Sequence, residues 1–189
     1  MNTIKNSAFV FLLTTLVSFF STEVFSDTIE EIVVKGSWRQ TSAAQEDSSV
    51  IFLSTEAIKA QSMKHFEQLS FLVPNLNFAA SDSRARYFQI RGIGERSGYQ
   101  GTPNSSVGFL IDDIDYSGQG GIATTFDVDQ IEIYRGPQGS RIGANALAGL
   151  IYIQTKDPTD VFEGTSEVTI GYYGTKSAGI AFGGPLDQN

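Results

Sequence analysis

Two runs of alternating apolar residues, "IEIY" (131–134) and "LIYIQT" (150–155), flank a loop carrying Gly136, Gly139, Gly143 and Gly149. No other stretch limits the possible folds as strongly. Ile131 and Ile133 share one face of an extended chain, and Ile151 and Ile153 share another. The region therefore reads as two strands joined by a glycine-rich connection. Such a connection can cradle a phosphate or simply turn the backbone. A phosphate loop of the Walker type needs Lys followed by Ser or Thr after its last glycine. Here Gly143 is followed by Ala144 and Asn145. A dinucleotide fingerprint needs glycines at relative positions one, three and six, a spacing that Gly136, Gly139 and Gly143 miss. The loop is expected to be a tight backbone turn between sheet strands.

The chain begins with Lys5, the apolar stretch "AFVFLLTTLVSFF" (8–20) and small or moderate residues up to Ser26. That order matches a secretory signal peptide over 1–26, and the apolar stretch is too short for a membrane-spanning helix of ~20 residues. The absence of cysteine rules out a lipid-anchored cysteine, disulfides and thiol chemistry. Outside the cytoplasm little ATP is free, which further weakens a nucleotide role. Without 1–26 the counts fall from 13 to 12 basic and from 21 to 20 acidic residues, so the net charge stays at −8. Such a surface repels nucleic acid.

Short strands alternate with long polar loops through the rest of the chain. In "DTIEEIVVKG" (27–36) the branched Ile32, Val33 and Val34 favour a strand, and 37–48 reads as a polar tether. A strand-former ahead of a tether suits either docking on another protein's sheet edge or an ordinary first strand. Residues 49–53 form a strand, after which Ser54 or Thr55 can cap a helix through about Gln61. A second helix is expected near 63–72, with Met63, Phe66, Leu69 and Leu72 apolar and Pro74 ending it. "YFQI" (87–90) and "VGFLI" (107–111) are further strands, giving a compact sheet with two helices against it. The loops 92–104 and 115–125 are of a length associated with function. Beyond Asp157 and Pro158, "SEVTIGYYG" (166–174) and "SAGIAFGG" (177–184) alternate strictly, with "GTK" (174–176) as the turn. These two strands fit a membrane-barrel hairpin, and a soluble hairpin fits them almost as well.

Few side chains offer chemistry. His65 is the lone histidine and has no second ligand to build a metal site. Asp113, Asp115, Ser117 and Gly118 match the first positions of a calcium loop, but Thr124 stands where a bidentate Glu belongs. The pairs Asp112/Asp113 and Asp127/Asp129 lack an opposing group at a defined distance. No catalytic residue, metal ligand or cofactor is expected, and the chain reads as a non-enzyme.

Several segments together are specific: "IEEIVVKG", "LVPNL", "FQIRGIG", "VGFLIDDI", "DVDQIEIYRGPQGSRIGANALAGLIYIQTK" and the final "GGPL". In this order they resemble the plug domain of TonB-dependent outer-membrane receptors over about 27–189. The resemblance implies an α+β fold: a plug with a small mixed β-sheet and short helices at 49–160, then the first hairpin of a transmembrane barrel at 161–189. It implies a TonB box and linker over 27–48, in which Ile29, Glu30, Glu31, Ile32, Val33 and Val34 add as a strand to the periplasmic energy transducer TonB. Arg91 and Arg135 match two arginines that hold the plug against barrel glutamates. Two strands cannot close a barrel, so the expectation is an incomplete receptor.

The function implied is energised uptake of a scarce substrate, most often a ferric siderophore, across the cell outer membrane, with no cofactor and no nucleic-acid partner. Arg96, Tyr99, Gln100 and Tyr116, on loops rich in glycine and hydrogen-bonding side chains, are the candidate substrate contacts. The rival reading is a free-standing secreted periplasmic binding module.

Overall fold

A computed structural model describes residues 33–35, 41–42, 49–61, 63–80, 84–97, 104–119 and 123–185. Among them run β1 (Val33–Val34), β2 (Thr41–Ser42), β3 (Val50–Ser54), α1 (Thr55–Ala60), α2 (Phe66–Leu69), β4 (Leu76–Ala80) and β5 (Ala85–Ile90). Then follow β6 (Val107–Ile111), β7 (Ile114–Asp115), β8 (Val128–Tyr134), α3 (Gly139–Ile142), β9 (Gly149–Thr155), β10 (Glu163–Ile170) and β11 (Lys176–Gly183). The signal-peptide region lies outside the described residues.

The main sheet has the order β3-β8-β9-β6-β7. It is mixed, because β6 and β9 run parallel while the other neighbours are antiparallel. Both faces are covered. On one, Leu53, Phe109, Ile131, Ile133, Ile151 and Ile153 pack with Ile58 of α1, Phe66 and Leu69 of α2, and Phe88 and Ile90 of β5. Phe66 stands edge-on to Phe88 and Phe109 at centroid distances of 5.1 and 5.0 Å, a favoured arrangement for aromatic rings. On the other face, Leu110, Tyr134, Leu150 and Tyr152 pack with Val34 and Ala146, and the partly buried Ile142 leans on them.

The expected α+β architecture, with a small mixed sheet and short helices, is what the chain adopts. Local boundaries differ. Ser54 caps α1, its hydroxyl accepting from the Ala57 N–H at 3.4 Å, while the Thr55 hydroxyl donates to the carbonyls of Val128 and Asp129. The expected helix at 63–72 shrinks to the four residues of α2. After it, Phe71 and Leu72 donate to carbonyls three residues back, a tighter turn that the chain uses to bring Leu72 and Val73 onto the core. The Gln68 side chain accepts from the N–H groups of Lys64 and His65, which fixes the start of α2 later than Met63.

β10 and β11 form an eight-rung antiparallel hairpin. Its strands start three residues and one residue earlier than the alternation suggested, and Tyr172–Gly174 makes the turn. The main sheet, the β4–β5 pair and this hairpin do not form a closed barrel.

Candidate functional site

Three groups of residues carry the functional expectations. The first is the short strand β1. It pairs with β2 through Val33↔Ser42 and Val34↔Thr41. Its two valines point opposite ways: Val33 is 38% exposed, whereas Val34 is fully buried beside Leu110, Leu150 and Tyr152. Polar contacts complete the attachment. The Lys35 N–H donates to Oε1 of Glu132 at 2.7 Å, and Nε2 of Gln130 donates to the Val33 carbonyl at 3.1 Å. Lys35 Nζ meets Asp129 at 2.9 Å and Asp157 at 3.4 Å. Burial opposes the charge on Lys35, but the two carboxylates outweigh it and raise its pKa. Ile29, Glu30, Glu31 and Ile32 lie outside the described residues.

Glu132 is the acceptor that organises this attachment, and it is itself only 1% exposed. It receives the Tyr134 hydroxyl at 2.7 Å and the Gln130 amide at 2.6 Å besides the Lys35 N–H. A buried carboxylate requires such donors. Its role is not legible in the sequence, because Glu between Ile131 and Ile133 ordinarily marks a solvent-facing position. The second covered face of the sheet turns that position inward.

The second group joins Arg91 and Arg135. Ile90 and Ile93 exchange backbone hydrogen bonds, and between them Arg91 takes a left-handed φ of +54°. A residue with a side chain in that region stores about 1 kcal/mol or more of strain. Both guanidinium groups reach one hydroxyl, Ser49 Oγ, at 3.4 Å from Arg91 and 2.8 Å from Arg135. The Arg135 N–H also donates to the Ser49 carbonyl. Neither arginine forms an ion pair among the described residues, and Arg135 Nε is buried without a hydrogen-bond partner there. Two cations meeting at one neutral hydroxyl are an unfinished arrangement.

The third group is the loops. Arg96 is exposed and Tyr116 is half-buried against the core, on separate connections; Tyr99 and Gln100 lie outside the described residues. Glu95 ties the base of the Arg96 loop, its Oε1 accepting from the Ser106 N–H at 2.9 Å and hydroxyl at 2.6 Å. Asp115 holds the base of the Tyr116 loop by accepting from the Ser117 N–H and the Asn145 amide. Burial works against its charge, but these bonds win and keep its pKa below the ordinary value. Asp113 is taken by Arg141 at 3.2 Å, so the aspartates of 113–115 are engaged in turns. No cluster of three or more metal-ligating side chains occurs among the described residues.

The family model for the TonB-dependent receptor plug domain matches residues 42–150. The chain belongs to this family. The chain is 26% identical over 162 residues to the pesticin receptor of Yersinia enterocolitica, covering 85% of this chain and 23% of that protein. The Yersinia pestis pesticin receptor is similar at 26% over 155 residues, 82% of this chain and 22% of that one. Among solved structures, the ferric yersiniabactin uptake receptor FyuA from Yersinia pestis superposes with a TM-score of 0.65 at 23% identity, over 76% of this chain and 22% of that one. The outer-membrane ferripyoverdine receptor of Pseudomonas aeruginosa gives a TM-score of 0.68 at 17% identity, over 83% of this chain and 20% of that one. The plug chain thus spans under a quarter of the length of these relatives.

Proposed function

We propose that this plug serves a TonB-dependent outer-membrane receptor for energised uptake of a ferric siderophore, gating a pore without chemistry on the substrate. The family match over 42–150 carries the reading. The siderophore class is drawn from relatives named for ferric yersiniabactin and ferripyoverdine. In this reading residues 29–34 are the strand offered to TonB, residues 49–160 the plug, and β10–β11 part of the barrel wall. Arg91 and Arg135 await carboxylates of that wall, which fits two guanidiniums sharing a single hydroxyl.

The hairpin supports the wall assignment. Val168, Ile170, Ile180 and Phe182 lie on its outer face, 75, 81, 65 and 66% exposed. Phe162 and Phe182 stack near one end and Tyr172 and Tyr173 stand exposed at the other, the placement of the aromatic girdles that flank an apolar band in membrane barrels. The inner face carries Thr165, Glu167, Thr169, Gly179 and Ala181.

Arg96, Tyr99, Gln100 and Tyr116 are the proposed substrate contacts. The test is uptake of radioiron-loaded siderophores by iron-starved cells with and without the receptor, with ferric yersiniabactin and ferripyoverdine in the panel. The Arg96→Ala and Tyr116→Ala variants should each weaken binding by about tenfold. Unchanged affinity in both would remove these residues from the site, and recovery of the protein away from the outer membrane would defeat the receptor reading.

A further inference from the structure

One cross-strand pair on the inner face of the hairpin meets the plug at two points. Glu167 of β10 stands opposite Gly179 of β11. The Glu167 carboxylate takes Lys64 Nζ at 2.5 Å. At its partner position, a Cβ on Gly179 would lie only 2.8 Å from Cε2 of Phe126. Any side chain there would displace the ring, so Gly179 is a socket for Phe126.

Lys64 and Phe126 are far apart in sequence, yet the plug fastens their segments together. The Thr125 hydroxyl donates to the Met63 carbonyl at 2.5 Å, and the Thr125 N–H to the Lys64 carbonyl at 3.3 Å. His65 bridges Thr124, and the Phe66 N–H donates to the Ala123 carbonyl. Residues 63–66 and 123–126 therefore present a cation and an aromatic ring side by side. The hairpin answers them with a carboxylate and a bare backbone on adjacent strands.

We infer that Lys64–Glu167 and Phe126–Gly179 form a two-point seat that sets the register of the plug on these wall strands. It uses neither Arg91 nor Arg135, and it rests on the reading of β10–β11 as wall. Directional charge fixes position along β10, and the ring in its socket fixes position along β11. A one-residue slip of either strand would turn its contact residue to the outer face. Thr169 supports the arrangement, its hydroxyl donating to Glu167 Oε1 at 3.4 Å.

The test uses the receptor as its host makes it. Half-exposed ion pairs contribute little when one partner is merely deleted, so charge reversal is the sharper probe. Lys64→Glu and Glu167→Lys should each raise entry of vancomycin through a poorly seated plug by about fivefold, and the double variant should return it to within about twofold of the parent. In parallel, a short bismaleimide should cross-link Lys64→Cys with Glu167→Cys and should leave Lys64→Cys with Val168→Cys unlinked, because Val168 lies on the outer face. The seat is overturned if the double reversal does not restore the barrier, if the single reversals leave it intact, or if positions 64 and 168 link as readily as 64 and 167. Cross-linking can be read in whichever cell fraction holds the protein. Absence from the outer membrane would therefore sink the receptor reading, while the linking pattern would still decide the contact.

Discussion

The Lys35 N–H donates to Oε1 of the buried Glu132 at 2.7 Å, across 97 residues of sequence. This bond fastens the chain just after β1 and leaves Val34 in the core while its neighbour Val33 faces out. The 189 residues contain no cysteine, so single cysteines report cleanly. Val33→Cys should react with a maleimide at least about tenfold faster than Val34→Cys. Adding Glu132→Ala should bring the two rates to within about twofold, since it removes the acceptor for Lys35, Gln130 and Tyr134. Equal rates in the parent protein would mean that β1 is not held as described.

Val33→Pro addresses the coupling role proposed for 29–34. Proline removes an N–H that an added strand would need. Transport should be abolished while siderophore binding, measured on receptor in outer membranes, stays unchanged. Wild-type transport would dissociate this segment from coupling.

The glycines of the 136–149 loop are not equivalent. A Cβ on Gly149 would sit 2.3 Å from the Tyr134 carbonyl oxygen and 2.7 Å from Cδ1 of Ile90. Backbone cannot move aside cheaply, so Gly149→Ala should cost about 3 kcal/mol. Gly139 opens α3 with nothing within 4 Å of its would-be Cβ, and Gly139→Ala should stabilise by about 0.5 kcal/mol. Urea midpoints of the two purified variants would order them oppositely around the parent.

Alkali should weaken the fold through two groups. Burial pushes the Tyr152 hydroxyl up to about 12, with Asp113 adding to the effect and Arg141, 4.7 Å above the ring, opposing it. Lys35 is also raised above its ordinary 10.5. A group whose pKa is higher in the folded state holds more protons there, so its contribution is complete below the unfolded pKa and is lost as pH climbs to the folded one. Stability should fall between about pH 10 and 12, and Tyr152→Phe should flatten that fall. An unaltered slope in Tyr152→Phe would assign the loss elsewhere.

Much of the fold was legible because period-two patterns survive in strands buried on one face. Ile131/Ile133 and Ile151/Ile153 lie on the core face that their alternation indicated. The second core was hidden, since Tyr134, Leu150 and Tyr152 fill the intervening positions and Glu132 looks like a surface residue in the same register. The spacing of Met63, Phe66, Leu69 and Leu72 suggested one helix, but apolar residues three apart are equally served by one short turn of helix and a tighter turn after it. Family motifs located Arg91 and Arg135, while their meeting at Ser49 depends on the left-handed turn at Arg91, which local propensity disfavours. Lys64 and Phe126 carried no signal at all. Their pairing arises from backbone bonds between distant segments.

In the main sheet, β9 is the last strand along the chain yet lies between β8 and β6. Without β9, β3–β8 and β6–β7 would be two half-sheets, each with a naked inner edge. Residues 149–155 act as the keystone that closes both edges at once. The order of synthesis thus leaves these two strand edges open until this glycine-led strand arrives, and a plug cut short before it would consist of halves with nothing to join them.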